Sequence, residues 1–381
     1  MNKRNVTYLG GPIFDGERLL DGHAARFEDG LLAEIRPVAE VVGGTETVDL
    51  DGDILSPGYV DLQVNGGEGI MFNDDPSVDT LRRIAAAHRS LGATRILPTL
   101  ITDTAEMTRA AVHAAVAAID AEVPGIAGLH LEGPHLSVKR KGAHDASLIR
   151  PMTDDDLSLL IDAAGKLPAL MVTIAPENVT TRQVQAMADA GIVVSLGHTD
   201  AGFSTCLEYA DAGARCVTHL FNAMSQMGNR EPGVVGAAIA DGRLSAGLIA
   251  DGIHVHPASM ETAWAAKTGP GKIFLVSDAM AVAGSDRDEF QLNGRRIHRR
   301  NGRLTLGDGT LAGADLDLTT AIRILSQASH VSLADALAAA TVVPAGLIGA
   351  ERDLLAIRKS QEADFVRISA DHSDACPLQH G

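Results

Sequence analysis

At 381 residues the chain has room for one α/β barrel plus an accessory domain. Hydrophobic residues make up 45%, aromatics only 3%, and there are 39 glycines, the composition of a tightly wound α/β enzyme with an aliphatic core. Asp and Glu outnumber Lys and Arg by 49 to 32, and the formal charge of −17 repels nucleic acid and anionic lipid alike, so no polyanion partner is expected.

The N-terminus, MNKRNVTYLGG, carries two basic residues with no apolar stretch behind them, and no segment approaches the roughly 18 apolar residues of a membrane span. The chain is expected to stay in the cytoplasm, away from membranes. Residues 1–57 read as short strands joined by the turns FDGERLLDG and EDG. Eight short apolar runs then recur: GYVDLQV, ATRILPTL, IAGLHLE, ALMVTIAPE, IVVSLGHT, CVTHLFN, SAGLIADG and KIFLVSDA. The segments between them have helical periodicity, plainest at DTLRRIAAAHRSLG, TAEMTRAAVHAAVAAID and TRQVQAMADAG. Strands alternating with helices imply a parallel sheet, and eight of them imply a (β/α)8 TIM-like barrel over residues 58–354. NG turns between β-like runs predict a hairpin inserted at about residues 284–312. ADFVRIS near the C-terminus reads as a strand, so residues 1–57 and 355–381 together predict a small β-sandwich domain. Cys206, Cys216 and Cys376 are odd in number and lack CxxC spacing, and all three read as buried thiols rather than disulfides or zinc ligands.

Polar residues at the ends of those runs carry the chemistry, because a barrel of this type builds its active site at the C-terminal strand ends. Glu132 ends the third run, His198 the fifth and Asp278 the eighth, while His219 lies in the sixth. A lone histidine there is usually structural, and a lone aspartate is commonly a helix cap. Four together point to function. Glu132 reads as a solvated strand end, a general acid or a metal ligand, and the third reading is preferred: one carboxylate and two imidazoles match a catalytic site with three protein ligands and a fourth position for water. His130 lies deeper in its strand and reads as packed or hydrogen-bonded, whereas His135 follows Pro134 in a loop and reads as exposed.

PGYVDLQVNGG, LHLEGPH, KGAHD, LGHTDA, THLFNAM, REPG, DGIHV and LVSDAM, in this order from about residue 56 to about residue 320, resemble the N-acetylglucosamine-6-phosphate deacetylase family of the amidohydrolase superfamily. The resemblance implies a barrel with metal ligands at Glu132, His198 and His219 and a catalytic aspartate at Asp278. It implies removal of acetate from the 2-amino group of a phosphorylated amino sugar. It assigns polarisation of the acetyl carbonyl to His144, which otherwise reads as a loop histidine with no task. Arg230 and His254 match phosphate-binding residues, with Asn222 and Ala223 as further substrate contacts. A neighbouring subunit can supply part of that pocket in the family, so a homodimer is implied. Many superfamily members carry His-x-His on the first strand and hold two metals. Here Gln63 and Asn65 stand there, and neutral amides are poor ligands, so one divalent ion per chain is expected, zinc first, with iron, cobalt or manganese as alternatives. Gln63 and Asn65 also read as hydrogen-bonding residues of the barrel mouth, Gln63 being counted among the substrate contacts, and Asp61 as only that. Ala314 stands where the family usually has serine.

Hydrolysis of an unactivated amide needs a nucleophile at neutral pH, a donor for the developing oxyanion and a proton for a poor leaving amine. A bound metal lowers the pKa of water to about 7, and Asp278 across the site takes the proton and returns it to the leaving nitrogen. Local cations must override the global charge to hold a phosphate, and a guanidinium fork at Arg230 suits it. The run KRK, residues 139–141, reads as a solvated loop or as a lid. The galacto epimer of the substrate is the near alternative. A binuclear cyclic-amide hydrolase would need the missing His-x-His pair, and a non-catalytic relative would have lost some of the four site residues.

Overall fold

The computed structural model describes residues 5–41, 46–350, 361 and 364–378. The eight apolar runs become eight parallel barrel strands, Tyr59–Val64, Ala93–Ile101, Leu129–Glu132, Leu170–Ile174, Val193–Leu196, Cys216–Val217, Ser245–Leu248 and Ile273–Leu275, each paired with the next in chain order. A parallel bridge from Val64 to Ala279, just past the eighth strand, closes the ring. Every residue of the first strand is buried, as is usual for parallel strands covered on both faces.

A helix follows each strand, and the sequence sets where each begins. Val78–Ser90 starts at Ser77, whose hydroxyl accepts the Thr80 N–H, and it buries Leu81, Ile84, Ala85 and His88 at helical spacing. Ala105–Asp120 starts at Thr104, and Thr181–Asp189 at a capping box between Thr180 and Gln183.

Two further sheets are built from segments that flank the barrel in the chain. One orders Leu31–Pro37, His23–Glu28, Asn5–Leu9 and Glu46–Asp49; the other orders Ala375–Pro377, Phe365–Ile368, Ile54–Pro57, Ile13–Phe14 and Leu19–Leu20. Val6, Tyr8, Phe27 and Leu32 from the first meet Ile13, Leu55 and Phe365 from the second in one apolar cluster. The C-terminal strand Phe365–Ile368 thus pairs with Ile54–Pro57, which runs straight into the first barrel strand. The expected boundary at 354–355 lies outside the described residues.

The expected hairpin is larger than its turns suggested. Glu289–Leu292, Arg295–Arg300, Arg303–Thr305 and Leu311–Ala314 form a four-stranded antiparallel meander. Asn293–Gly294 and Asn301–Gly302 both hold positive φ, as hairpin turns of this kind require. The third and fourth strands were hidden because the meander buries only alternate residues. Phe290, Leu292, Ile297 and Leu304 pack on Met71, Ile101 and Met280 at the barrel mouth. Cys206 and Cys216 are buried, but Cys376 is exposed on the short C-terminal strand. Among the described residues no helix is long and apolar enough to cross a membrane.

Candidate active site

Glu132 is the last residue of the third strand, while His198, His219 and Asp278 lie two or three residues beyond theirs. His219 therefore stands past the sixth strand rather than within it, because that strand pairs only through Cys216 and Val217. The backbone explains how the side chains converge. His198, His219 and Asp278 all hold positive φ, at 47°, 29° and 49°. This conformation costs roughly 1 kcal/mol or more per residue and turns the chain sharply where each strand stops.

The convergence is close. His219 Nε2 lies 3.1 Å from Glu132 Oε1 and 3.1 Å from His198 Nε2, and His198 Nε2 lies 3.2 Å from the same carboxylate oxygen. All three side chains are buried, and among the described residues these form the one His/Cys/Asp/Glu group that could hold a metal ion. The donor set fits a divalent metal: ligands at about 2.0–2.2 Å in a tetrahedral shell sit roughly 3.3 Å apart. The tautomer fits too. His198 Nδ1 faces the Arg140 carbonyl at 2.8 Å; a carbonyl only accepts, so Nδ1 carries the proton and Nε2 keeps its lone pair for a metal. The loop carrying Arg140 packs against that ring at Gly142, where φ is +55° and a Cβ would stand 3.3 Å from His198 Cε1.

Gln63 and Asn65 act as donors to the carboxylates. Gln63 Nε2 reaches both oxygens of Glu132, at 3.2 and 3.3 Å, and Asp278 Oδ1 at 3.2 Å, while Asn65 Nδ2 reaches Asp278 Oδ1 at 2.7 Å. Asp61 accepts the N–H of Gln63 and of Ser277, tying the first strand to the segment that carries Asp278. Burial raises the Asp61 carboxyl to about 7.

Electrostatics separates the two central carboxylates. Burial alone would raise Glu132, but the His198 and His219 rings set against it outweigh that and hold the group well below the usual range. Burial also raises Asp278, with the nearby Glu132 charge adding to it, and its carboxyl sits at about 6. A carboxylate near neutrality, facing one that stays ionised, suits a group that takes and returns a proton. Burial pushes His144 down to about 3 and His130 to about 4, so both rings are neutral. His130 meets the Leu62 carbonyl and the Thr173 hydroxyl, as expected of a packed residue. His135 is not exposed: it is buried, with Nδ1 on the Arg150 carbonyl at 3.0 Å, because the loop after Pro134 folds back onto the barrel.

A cavity of about 400 Å³ opens over these groups. Glu132, His144, His198, His219, Asn222, Ala223, His254 and Asp278 line it, with an apolar side from Ile101, Met280, Leu292 and Leu311. The His144 ring stands edge to face against His198, centroids 4.4 Å apart, and Arg295 of the meander donates to the neighbouring Ala143 carbonyl. His254 Nδ1 pairs with Asp251 Oδ2 at 2.6 Å, which leaves Nε2 for a ligand. Arg230 is exposed and does not line the cavity of its own chain. The basic turn does: Lys139 and Arg140 face the cavity and both pair with Asp200. Ala314 is buried beside Ala279. Sequence reasoning missed Asp200 and Asp251. The spacing DGIH, an aspartate three before a histidine, was a usable sign of the second; Asp200 meets its partners only in the folded chain.

A family model described as the Amidohydrolase family matches residues 54–378. The chain is 39% identical over 376 residues to an N-acetylgalactosamine-6-phosphate deacetylase of Shewanella sp. (strain ANA-3), covering 97% of this chain and 94% of the relative. It is 33% identical over 338 residues to an N-acetylglucosamine-6-phosphate deacetylase of Haemophilus influenzae, covering 88% and 87%. Its fold superposes on the crystal structure of N-acetylglucosamine-6-phosphate deacetylase from Pasteurella multocida with a TM-score of 0.91 at 31% identity, covering 97% of each chain.

Proposed function

The chain belongs to the amidohydrolase family and is a hydrolase acting on carbon–nitrogen bonds, and from that premise we propose that it removes acetate from N-acetylglucosamine 6-phosphate to give glucosamine 6-phosphate. The observation that carries this reading is the convergence of Glu132, His198 and His219 with Asp278 on one cavity. Glu132, His198 and His219 would hold a single divalent ion, zinc first. When bound, such an ion would acidify water and polarise a carbonyl. The rest is the work of the side chains. Asp278 takes a proton from the attacking water and passes it to the leaving nitrogen, and Gln63 and Asn65 hold its carboxylate in place. His144, neutral and buried, donates to the acetyl oxygen as charge develops there. His254, held by Asp251, and the segment at Asn222 and Ala223 receive the phosphate. A sugar phosphate does not cross lipid unaided, so the activity belongs in the cytoplasm on this reading.

A second reading is the galacto epimer, favoured by the higher identity, 39% against 33%, to the relative named for it. Acetate release from both phosphorylated epimers and from unphosphorylated N-acetylglucosamine tests both. A faster rate on the galacto sugar would overturn the first reading, and no acetate from either phosphorylated sugar would overturn both.

The phosphate pocket makes a sharper test of assembly. Arg230 lies outside its own cavity, so on this reading it serves the cavity of a neighbouring subunit in a homodimer. Arg230→Ala is expected to weaken binding of the phosphorylated sugar by about 2 kcal/mol or more, the range of a charge-assisted contact, with little change for the unphosphorylated sugar. Equal losses on both sugars would put the arginine in folding or in the chemistry instead.

A further inference from the structure

We infer that Thr102 is a positioning residue that sets where His144 carries its proton. The inference rests on the reading above, in which His144 donates to the acetyl oxygen. Thr102 follows the second barrel strand directly and is buried. Its backbone N–H points at His144 Nδ1 over 3.3 Å, and its hydroxyl lies 2.8 Å from the same nitrogen. A hydroxyl can donate or accept, so alone it would tolerate either tautomer. A backbone N–H can only donate, so Nδ1 must be the acceptor, and the neutral ring then holds its proton on Nε2. Nε2 makes no hydrogen bond among the described residues, and His144 lines the cavity.

The consequence is a matter of sign. With the proton on Nε2, the ring presents a donor to a developing oxyanion. With the proton on Nδ1, it would set donor against donor at Thr102 and turn a lone pair toward the substrate oxygen. The Thr102 hydroxyl has one proton and two acceptors, Nδ1 at 2.8 Å and the Glu132 carbonyl at 3.4 Å, and the shorter contact wins. The hydroxyl has little freedom to leave. Gly133, at φ +93°, passes so close that a Cβ there would stand 2.2 Å from Thr102 Oγ1. Thr102 therefore sits where the end of the Glu132 strand meets the loop of His144, and it transmits the geometry of one to the other.

The test uses zinc-loaded full-length protein, with histidine ¹⁵N resonances recorded for wild type, Thr102→Val and Thr102→Ser, and with His144→Ala identifying the signal. The wild-type ring is expected as the Nε2–H form. Thr102→Val is expected to lower kcat about tenfold, the loss of one orienting hydrogen bond, with KM and metal content unchanged, and Thr102→Ser to restore it. On a His144→Ala background, Thr102→Val should cost nothing further, because its effect passes through the ring. A proton on Nδ1 in the wild type, or an undiminished loss when His144 is absent, overturns the inference. The resonance needs no substrate. Absence of acetate release would therefore sink the proposed function while the tautomer still decides Thr102, and it does so even where the valine variant fails to fold.

Discussion

Asp278→Asn is expected to keep its metal and its substrate and to lose turnover by about 10² to 10⁴ or more, the range of a group that moves protons in both halves of a reaction. Asparagine preserves the shape of the side chain and still presents an oxygen to Asn65 and Gln63, which now donate to Asp278 Oδ1 at 2.7 and 3.2 Å. It cannot accept a proton from water or deliver one to a leaving nitrogen. Glu132, His198 and His219 do not depend on Asp278 for their mutual contacts, so metal stoichiometry is expected to hold. Ligand affinity should hold or rise, since an amide can hydrogen-bond a bound acetyl group without turning it over. The competing role is structural: Asp278 holds a left-handed turn at the end of the barrel, and asparagine tolerates that conformation well. On that account Asp278→Asn would cost little. Turnover, metal content and ligand affinity measured on this one variant separate the two roles, and near-normal turnover with metal bound would remove Asp278 as the base.

Metal analysis of active protein is expected to give one tightly bound divalent ion per chain, and His198→Ala or His219→Ala is expected to abolish tight binding. Each histidine offers a nitrogen about 3 Å from Glu132 Oε1 that could bind a metal. Losing one of three ligands should cost well above the roughly 10- to 100-fold that follows from losing an outer hydrogen-bond partner. The second expectation, that only one ion binds, comes from the amides. Where a binuclear site would need imidazoles, Gln63 and Asn65 direct N–H groups onto Glu132 and Asp278 and so occupy carboxylate lone pairs. A second tight equivalent of metal would refute this. Recovery of activity on adding zinc to chelated wild type, but not to the histidine variants, completes the measurement.

Much of this site was legible in the chain itself. The eight barrel strands announce themselves because a strand covered on both faces is mostly apolar, and every one of the eight runs became a strand. Glu132, His198, His219 and Asp278 were legible for the converse reason: a charged or imidazole side chain at the end of such a run carries a desolvation cost that a structure keeps only for a purpose. The turns Asn293–Gly294 and Asn301–Gly302 were legible as local backbone requirements. The count of strands around them was not, since a half-buried strand leaves a weaker pattern than a fully buried one.

What the sequence determined by itself is therefore what depends on a residue and its near neighbours: the places of the strands, the helical segments between them, and the chemical types at the strand ends. The tertiary structure alone decided everything that depends on partners far apart in the chain. His135 looked exposed from its loop and is buried; Cys376 looked like a buried thiol and is exposed. Gln63 and Asn65 turned out to hold two carboxylates, one of them more than two hundred residues away. Thr102 meets His144 only because two loops close over the same barrel mouth. Burial, carboxylate ionisation and ring tautomer are properties of an assembled environment. No local stretch of sequence contains the atoms that set them.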